Sequence, residues 1–123
     1  MTTVKLILER IISVEDQKTA GYHACYVYHH SLLDANCASS LSSDWTTDKN
    51  EDWHLQNLAS KVTTMLYQRF NEATISIELQ QNPRVHWKKP YISALCHEGD
   101  GLKLLGYIAH VLVQNRETQT LAP

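Results

Sequence analysis

The sequence lacks the features that would mark a membrane-spanning, exported or nucleic-acid-binding chain. Among its 123 residues no apolar run approaches the roughly 20 residues that span a bilayer, and residues 1–5 have neither the basic nor the apolar part of a signal peptide. The net charge is only −2, so the chain as a whole should not attract nucleic acid or an anionic membrane. We therefore expect a cytoplasmic protein with no membrane partner, and nucleic acid remains only an alternative partner.

Cysteine is also scarce, and the spacing of the cysteines argues against a disulfide framework and against the common zinc-binding motifs. The three cysteines are odd in number and irregular in spacing, which indicates reduced thiols and not a disulfide framework. The sequence contains no CxxC, no HxxxH and no Cys/His pair repeated at zinc-finger spacing. We therefore predict no cofactor and no metal ligands.

The composition that remains is that of an ordinary folded domain. The apolar fraction is 43% and the charged fraction 20%, values typical of globular proteins and not of disordered ones. A chain of 123 residues is long enough for one domain with a real core. We predict a single domain over residues 1–115, with a long polar loop at 34–50 and a flexible tail at 116–123.

The clearest pattern lies in Trp53–Leu79, which predicts a helix followed directly by a strand. Apolar residues first recur three and four positions apart, as on one helical face. Asp48 or Asn50 is placed to cap the start of this helix. From Ile75 to Leu79 the apolar residues then alternate with polar ones, the period of a half-buried strand.

Two further strands are predicted before this unit, at Val4–Ser13 and Tyr22–Leu33. Their closeness along the chain makes an antiparallel hairpin the simplest pairing. The polar stretch Asp34–Asn50 shows no sustained period and is longer than most loops. It is therefore either a functional loop or a segment that hides a short strand or helix around Ala38–Leu41.

The C-terminal third is predicted to contain a strand and one more element. Arg84–Leu95 reads as a strand that Pro90 breaks or places at an edge. Leu102–Gln114 fits either a helix or a strand, and its length favours the helix. The expected fold is α+β: a mainly antiparallel sheet of about four strands with two helices packed on one face, in the order β-β-α-β-β-α.

The segment Arg84–Tyr91 has the most distinctive local composition. In a strand, Arg84, His86 and Lys88 line one face and could bind a phosphate or carboxylate, while aromatic rings nearby could stack on a planar ligand. The alternative is an edge strand protected from aggregation by lysine and proline. The predicted ligand-binding residues are Arg84, His86, Trp87, Lys88 and Tyr91.

Two other groups of residues could carry chemistry. His23 and Cys25 share a strand face about 7 Å apart and could just share a zinc ion, but this would need further ligands. By residue type alone the candidates for those ligands are His54, Cys96 and His110. We prefer the interpretation that the histidines are incidental to a half-buried strand.

The segment Cys96–Asp100 places a thiol, a histidine and two acidic side chains in a short stretch. Such groups can do acid–base or thiol chemistry. Adjacent residues of a strand point to opposite faces, however, so His97 is poorly placed to activate Cys96. We prefer a small core thiol followed by an acidic turn, and no catalytic residue is predicted.

The patterns of both helices favour contact with another protein. The polar face of the Leu55–Phe70 helix has few charged residues, and Leu102–Val113 is apolar nearly all round. We therefore predict a non-enzymatic interaction or accessory protein that acts through homo-oligomer or partner contacts. The alternatives are a binder of an anionic small ligand or single-stranded nucleic acid through Arg84–Tyr91, and a small enzyme with a site near Cys96–Asp100.

Overall fold

The computed structural model describes residues 2–29, 36–69, 75–81 and 90–121, and within them seven elements follow in the order β-β-β-α-β-β-α. The strands are β1 (Thr2–Ser13), β2 (Thr19–His29), β3 (Asn36–Ser42), β4 (Ile75–Gln81) and β5 (Tyr91–Ala94), and the helices are α1 (Glu51–Arg69) and α2 (Asp100–Leu121). The α+β class is confirmed. The predicted order was wrong in one respect, because it lacked β3. No helix in the described part of the chain is long and apolar enough to cross a membrane.

Strand β1 is the centre of the sheet, whose order is β3-β2-β1-β4. It pairs antiparallel with β2, as expected for a hairpin. Its other edge is shared by two strands, with β4 parallel to Thr2–Leu8 and β5 antiparallel to Arg10–Ser13. The sheet is therefore mainly antiparallel, and β1–β4 is the parallel exception.

The polar stretch at 34–50 contains β3, which agrees with the alternative of a hidden strand and not with a long loop. Asn36–Ser42 pairs antiparallel with β2 and lies at the edge of the sheet. Ser39 and Ser40, which point to opposite faces, are both exposed, while Leu41 packs against the core. The side chains described on β3, those of residues 39–42, bury little area, and such residues have no reason to show an apolar alternation.

Helix α1 begins directly after Asn50, one of the two residues predicted to cap it. The Asn50 Oδ1 atom accepts a hydrogen bond of 2.8 Å from the Trp53 backbone N–H, so Asn50 and not Asp48 caps the helix. The backbone N–H of Asp48 instead donates to Thr46 Oγ1 at 3.2 Å. These two hydrogen bonds lie in the connection between β3, at the sheet edge, and the first turn of α1.

The ambiguous C-terminal element is a helix, as its length favoured. Gly99, with φ of +89°, makes the turn that precedes α2. The helix continues to Leu121, so residues 116–121 are helical where we expected a tail.

The hydrophobic core lies between one face of the sheet and the two helices, as predicted. Alternate residues of β1 and β2 point into it, α1 packs on β2 and on α2, and α2 adds Leu104 and Ile108 to the same core. Its buried members are Val4, Leu6, Leu8, Tyr22, Ala24, Tyr26, Leu55, Leu58, Ala59, Val62, Met65, Leu66, Leu104 and Ile108.

The other face of the sheet, here called the far face, is also well buried near the middle of β1. Glu9 is 1% exposed, Ile11 0% and His23 8%. Gly21 lies on this face beneath Trp45, and a Cβ atom at Gly21 would overlap the indole ring and Ser43 Oγ. The close approach of the indole to the β2 backbone is therefore possible only with glycine at this position.

Candidate functional site

The predicted ligand-binding segment falls mostly outside the described residues. Arg84, His86, Trp87 and Lys88 all lie outside them, so their role stays a prediction. Tyr91 is described: it begins β5, and its ring packs edge-on against Trp45 with a centroid distance of 5.2 Å. This one member of the predicted set therefore contributes to the packing of β5.

The Cys96–Asp100 segment lies beside the N-terminal ends of both helices. The buried carboxylate of Asp100 accepts hydrogen bonds at Oδ2 from the Tyr22 hydroxyl, at 2.8 Å, and from the His97 backbone N–H, at 2.9 Å. Burial, together with this hydrogen bond, raises the pKa of Tyr22 well above its usual range. Tyr22 is therefore a neutral donor that ties β2 to the start of α2.

The Cys96 thiol is not poised as a nucleophile. Its sulfur lies on the core side of the sheet, 3.7 Å from the Leu8 carbonyl oxygen. Burial, with a contribution from Asp100, raises the pKa of this thiol from 9.0 to about 11. A raised pKa lowers the thiolate population at neutral pH, and the thiolate is the reactive form. These features support the interpretation of Cys96 as a small core residue.

A second chain of hydrogen bonds connects the same segment to α1. Glu51 Oε1 accepts from Thr19 Oγ1 at 2.8 Å and pairs with His97 Nε2 at 2.9 Å. Arg10 donates to Thr19 Oγ1 at 3.2 Å and to the Leu95 carbonyl oxygen at 2.8 Å. The polar side chains here satisfy one another across four segments of the chain, which is how a structural network holds helix ends in place.

No signal in the sequence indicated that Cys96–Asp100 has four polar neighbours from elsewhere in the chain: Arg10, Thr19, Tyr22 and Glu51. They come from β1, β2 and the first turn of α1, and no local pattern joins them. The acidic first turns of α1 and α2 were a partial signal, since carboxylates are favoured near helix N-termini.

A second cluster lies on the far face and includes a residue that the sequence did not suggest. Glu9, His23 and Cys25 each offer one potential ligand atom, and these atoms all lie within 4.8 Å of one another. Glu9 pairs directly with His23 across β1 and β2. Periodicity placed His23 and Cys25 on one face, but only the strand register adds Glu9.

The partners that residue type suggested for His23 and Cys25 lie elsewhere. Buried His54 donates from Nε2 to the Thr46 carbonyl oxygen at 2.8 Å, and its Nδ1 lies 3.4 Å from Ser43 Oγ. Burial lowers the pKa of His54, so its ring is a neutral structural group. Cys96 is on the core side, and His110 is exposed on α2.

The outer side of α2 presents apolar groups to solvent. Leu104 and Ile108 are buried in the core, but Leu102 is 76% exposed. Leu105, Gly106 and Ala109 continue from Leu102 at helical spacing, and each is half-buried or exposed. We call these four residues the outer face of α2.

The outer side of α1 differs from that of α2, because it is polar. A groove of about 410 Å³ runs along it beside β3 and is lined mainly by uncharged side chains. The lining residues are Leu41, Asn57, Ser60, Lys61, Thr64, Met65 and Gln68. Lys61 pairs at 2.6 Å with Asp44, whose pKa this interaction lowers.

Comparisons of this chain with protein-family models, with curated proteins and with solved structures find no match.

Proposed function

We propose that this chain is a non-enzymatic interaction protein that self-associates through the outer face of α2. The observation that carries the proposal is the 76% exposure of Leu102 at the start of an apolar stripe. Burying a leucine side chain that is otherwise in water contributes about 1.5–3 kcal/mol. A helix that is apolar on both sides is normally covered on both sides.

A second copy of the chain fits this face because the stripe can match itself. In a symmetric dimer the same patch occurs on both subunits, so two antiparallel α2 helices would cross near Gly106. Gly106 has no side chain, and a Cβ atom there would meet nothing within 4 Å in the monomer, so another helix could approach closely at this position. Leu102 of one copy would then lie against Ala109 of the other, a large side chain facing a small one.

Charge does not oppose this contact. The four residues of the outer face carry no charge, and the nearby Lys103 ammonium lies 3.3 Å from the Asp52 carboxylate of its own chain. Like charges facing each other would cost several kcal/mol at an interface, and here they are avoided. A cytoplasmic location remains part of the proposal, on the basis of the odd cysteine count alone.

Sedimentation velocity across the micromolar range tests the proposal with Leu102→Glu. The wild-type chain is expected to form dimers, and a buried carboxylate on each side should weaken the dimer at least about 10-fold. Thr64→Glu is the matched control, because it adds the same charge to the exposed side of α1.

A wild-type chain that remains monomeric at the highest concentration would overturn the proposal. So would a Leu102→Glu dimer as strong as the wild type. Far-UV circular dichroism must show that both variants fold. If Thr64→Glu breaks the dimer and Leu102→Glu does not, the groove beside α1 is the interface instead.

A further inference from the structure

We propose that Glu9, His23 and Cys25 form a binding site for a zinc ion on the far face of the sheet. Their side chains offer a carboxylate oxygen, an imidazole nitrogen and a sulfur atom, the three kinds of protein ligand that zinc takes. The site lies on a different part of the molecule from the outer face of α2. It does not depend on self-association.

The pairing of β1 with β2 brings these side chains together. Glu9 is directly opposite His23 in the antiparallel register, and Cys25 is two residues further along the same strand. Residues two apart on a strand point to the same face, and directly opposite residues have Cβ atoms about 4.5–5.5 Å apart. All three side chains therefore extend from one small area of the far face.

The distances between ligand atoms are close to those around a bound ion. His23 Nδ1 lies 3.8 Å from Glu9 Oε2 and 3.9 Å from Cys25 Sγ. Ligand atoms about 2.0–2.3 Å from a tetrahedral zinc ion are about 3.3–3.6 Å from one another. Small side-chain rotations would close the gap, because the backbone already fixes the three positions. His23 Nδ1 is the central ligand atom, since it is near both others.

The charges of the ligand set suit a divalent ion in a buried place. Glu9 is 1% exposed, and a carboxylate at such a position must be compensated by nearby charge or hydrogen bonds. A zinc ion with one carboxylate, one thiolate and one neutral imidazole is formally neutral. Three protein ligands leave a fourth position for water or another ligand, as in zinc sites that are not fully closed by protein.

Zinc binding at this site should depend on pH. The ion binds the thiolate, so the Cys25 S–H proton is released to solvent when the sulfur–zinc bond forms. The affinity should therefore fall as the pH is lowered, as protons compete for the sulfur and the imidazole.

The test uses the whole chain, freed of metal with a chelator and then titrated with Zn²⁺ or Co²⁺. We expect one ion per chain. A Zn²⁺ concentration about 100-fold above the dissociation constant should raise the melting temperature by at least about 5 °C. Co²⁺ at the same site should show a thiolate-to-metal charge-transfer band, which carboxylate and imidazole ligands alone do not produce.

Variants of the ligand residues assign the site. Cys25→Ser should remove the charge-transfer band, and both Cys25→Ser and Glu9→Gln should weaken zinc binding at least about 100-fold. Cys96→Ser is the matched control, because that thiol lies on the core side of the sheet. It should leave the band and the affinity unchanged.

Absence of zinc binding by the wild-type chain at micromolar concentration would overturn the proposal. A charge-transfer band that survives Cys25→Ser, or one that disappears with Cys96→Ser, would overturn it as well. Circular dichroism checks that each variant folds. If Glu9→Gln does not fold, the nearly isosteric Cys25→Ser decides the outcome alone.

Discussion

Leu8 and Glu9 are neighbours on β1 and are equally buried, each 1% exposed, but they lie on opposite faces of the sheet. Leu8 points into the core beneath the helices, within the cluster of buried hydrophobic residues. Glu9 lies on the far face beside His23 and Cys25. Burial is favourable in itself only for Leu8, because a buried carboxylate requires compensation. The two faces of one strand therefore have different tasks: one stabilises the fold, and the other holds a polar cluster.

The largest expected effect comes from the core side. Leu8→Ala should lower the free energy of unfolding by about 2–5 kcal/mol, because it removes apolar contacts and leaves a cavity. Ile7→Ala, on the far face of the same strand and only half-buried, is the control and should cost clearly less. Urea unfolding measures both. Equal losses would mean that the far face contributes as much apolar stabilisation as the core.

A smaller effect is expected where Trp45 covers β2 on the far face. Gly21→Ala should destabilise the fold by about 1–3 kcal/mol, because the added Cβ atom overlaps the indole ring. Gly106→Ala is the control, since its Cβ atom meets nothing within 4 Å and alanine favours helix by about 0.5–1 kcal/mol. Thermal unfolding of both variants, at a concentration where the chain is monomeric, should show shifts of opposite sign. A neutral Gly21→Ala would mean that the indole is not held against β2.

The smallest expected effect is a pH dependence of stability that originates at the buried His54 of α1. Burial lowers the pKa of His54 below 6.5 in the folded chain, so the unfolded chain takes up this proton first as the pH falls. The contribution of His54 to stability is therefore complete at a pH above the pKa that this histidine has in the unfolded chain. It is lost as the pH falls from that pKa toward the lower pKa of the folded chain. Comparing urea unfolding at about pH 7.5 and about pH 5.5 measures this loss.

The variant His54→Gln isolates this contribution from those of the other histidines. Its stability should change less than that of the wild type between the two pH values, because glutamine does not titrate. The same pH dependence in both proteins would mean that another group is responsible.

The elements that could be predicted from the sequence are those with a strong local period. Helix α1 buries one apolar stripe, and the core face of β1 carries an apolar residue at every second position, so their apolar spacing reveals them. Strand β3 could not be identified with certainty, because Ser39 and Ser40 are exposed on its two faces. Its evidence is the pairing with β2, a long-range contact that leaves no periodic trace in the sequence.

The sequence predicted no metal ligands, but it did place two side chains of the proposed zinc site together. The two-residue spacing of His23 and Cys25 indicated a shared strand face. The third ligand depended on the register between β1 and β2, which the length of their connection did not determine. A slip of one residue would place Leu8 or Arg10 opposite His23 and remove the carboxylate from the cluster.

The sequence by itself determined the α+β class, the β1–β2 hairpin, the helix α1 and the face of β2 that carries His23 and Cys25. These follow from local spacing, because an element must bury the side on which its apolar residues fall. The tertiary structure decided that Glu9 joins that face, that β4 lies parallel to β1, and that the outer face of α2 is exposed to solvent. Each of these depends on how distant segments pack, because the same local pattern is compatible with more than one register and more than one neighbour.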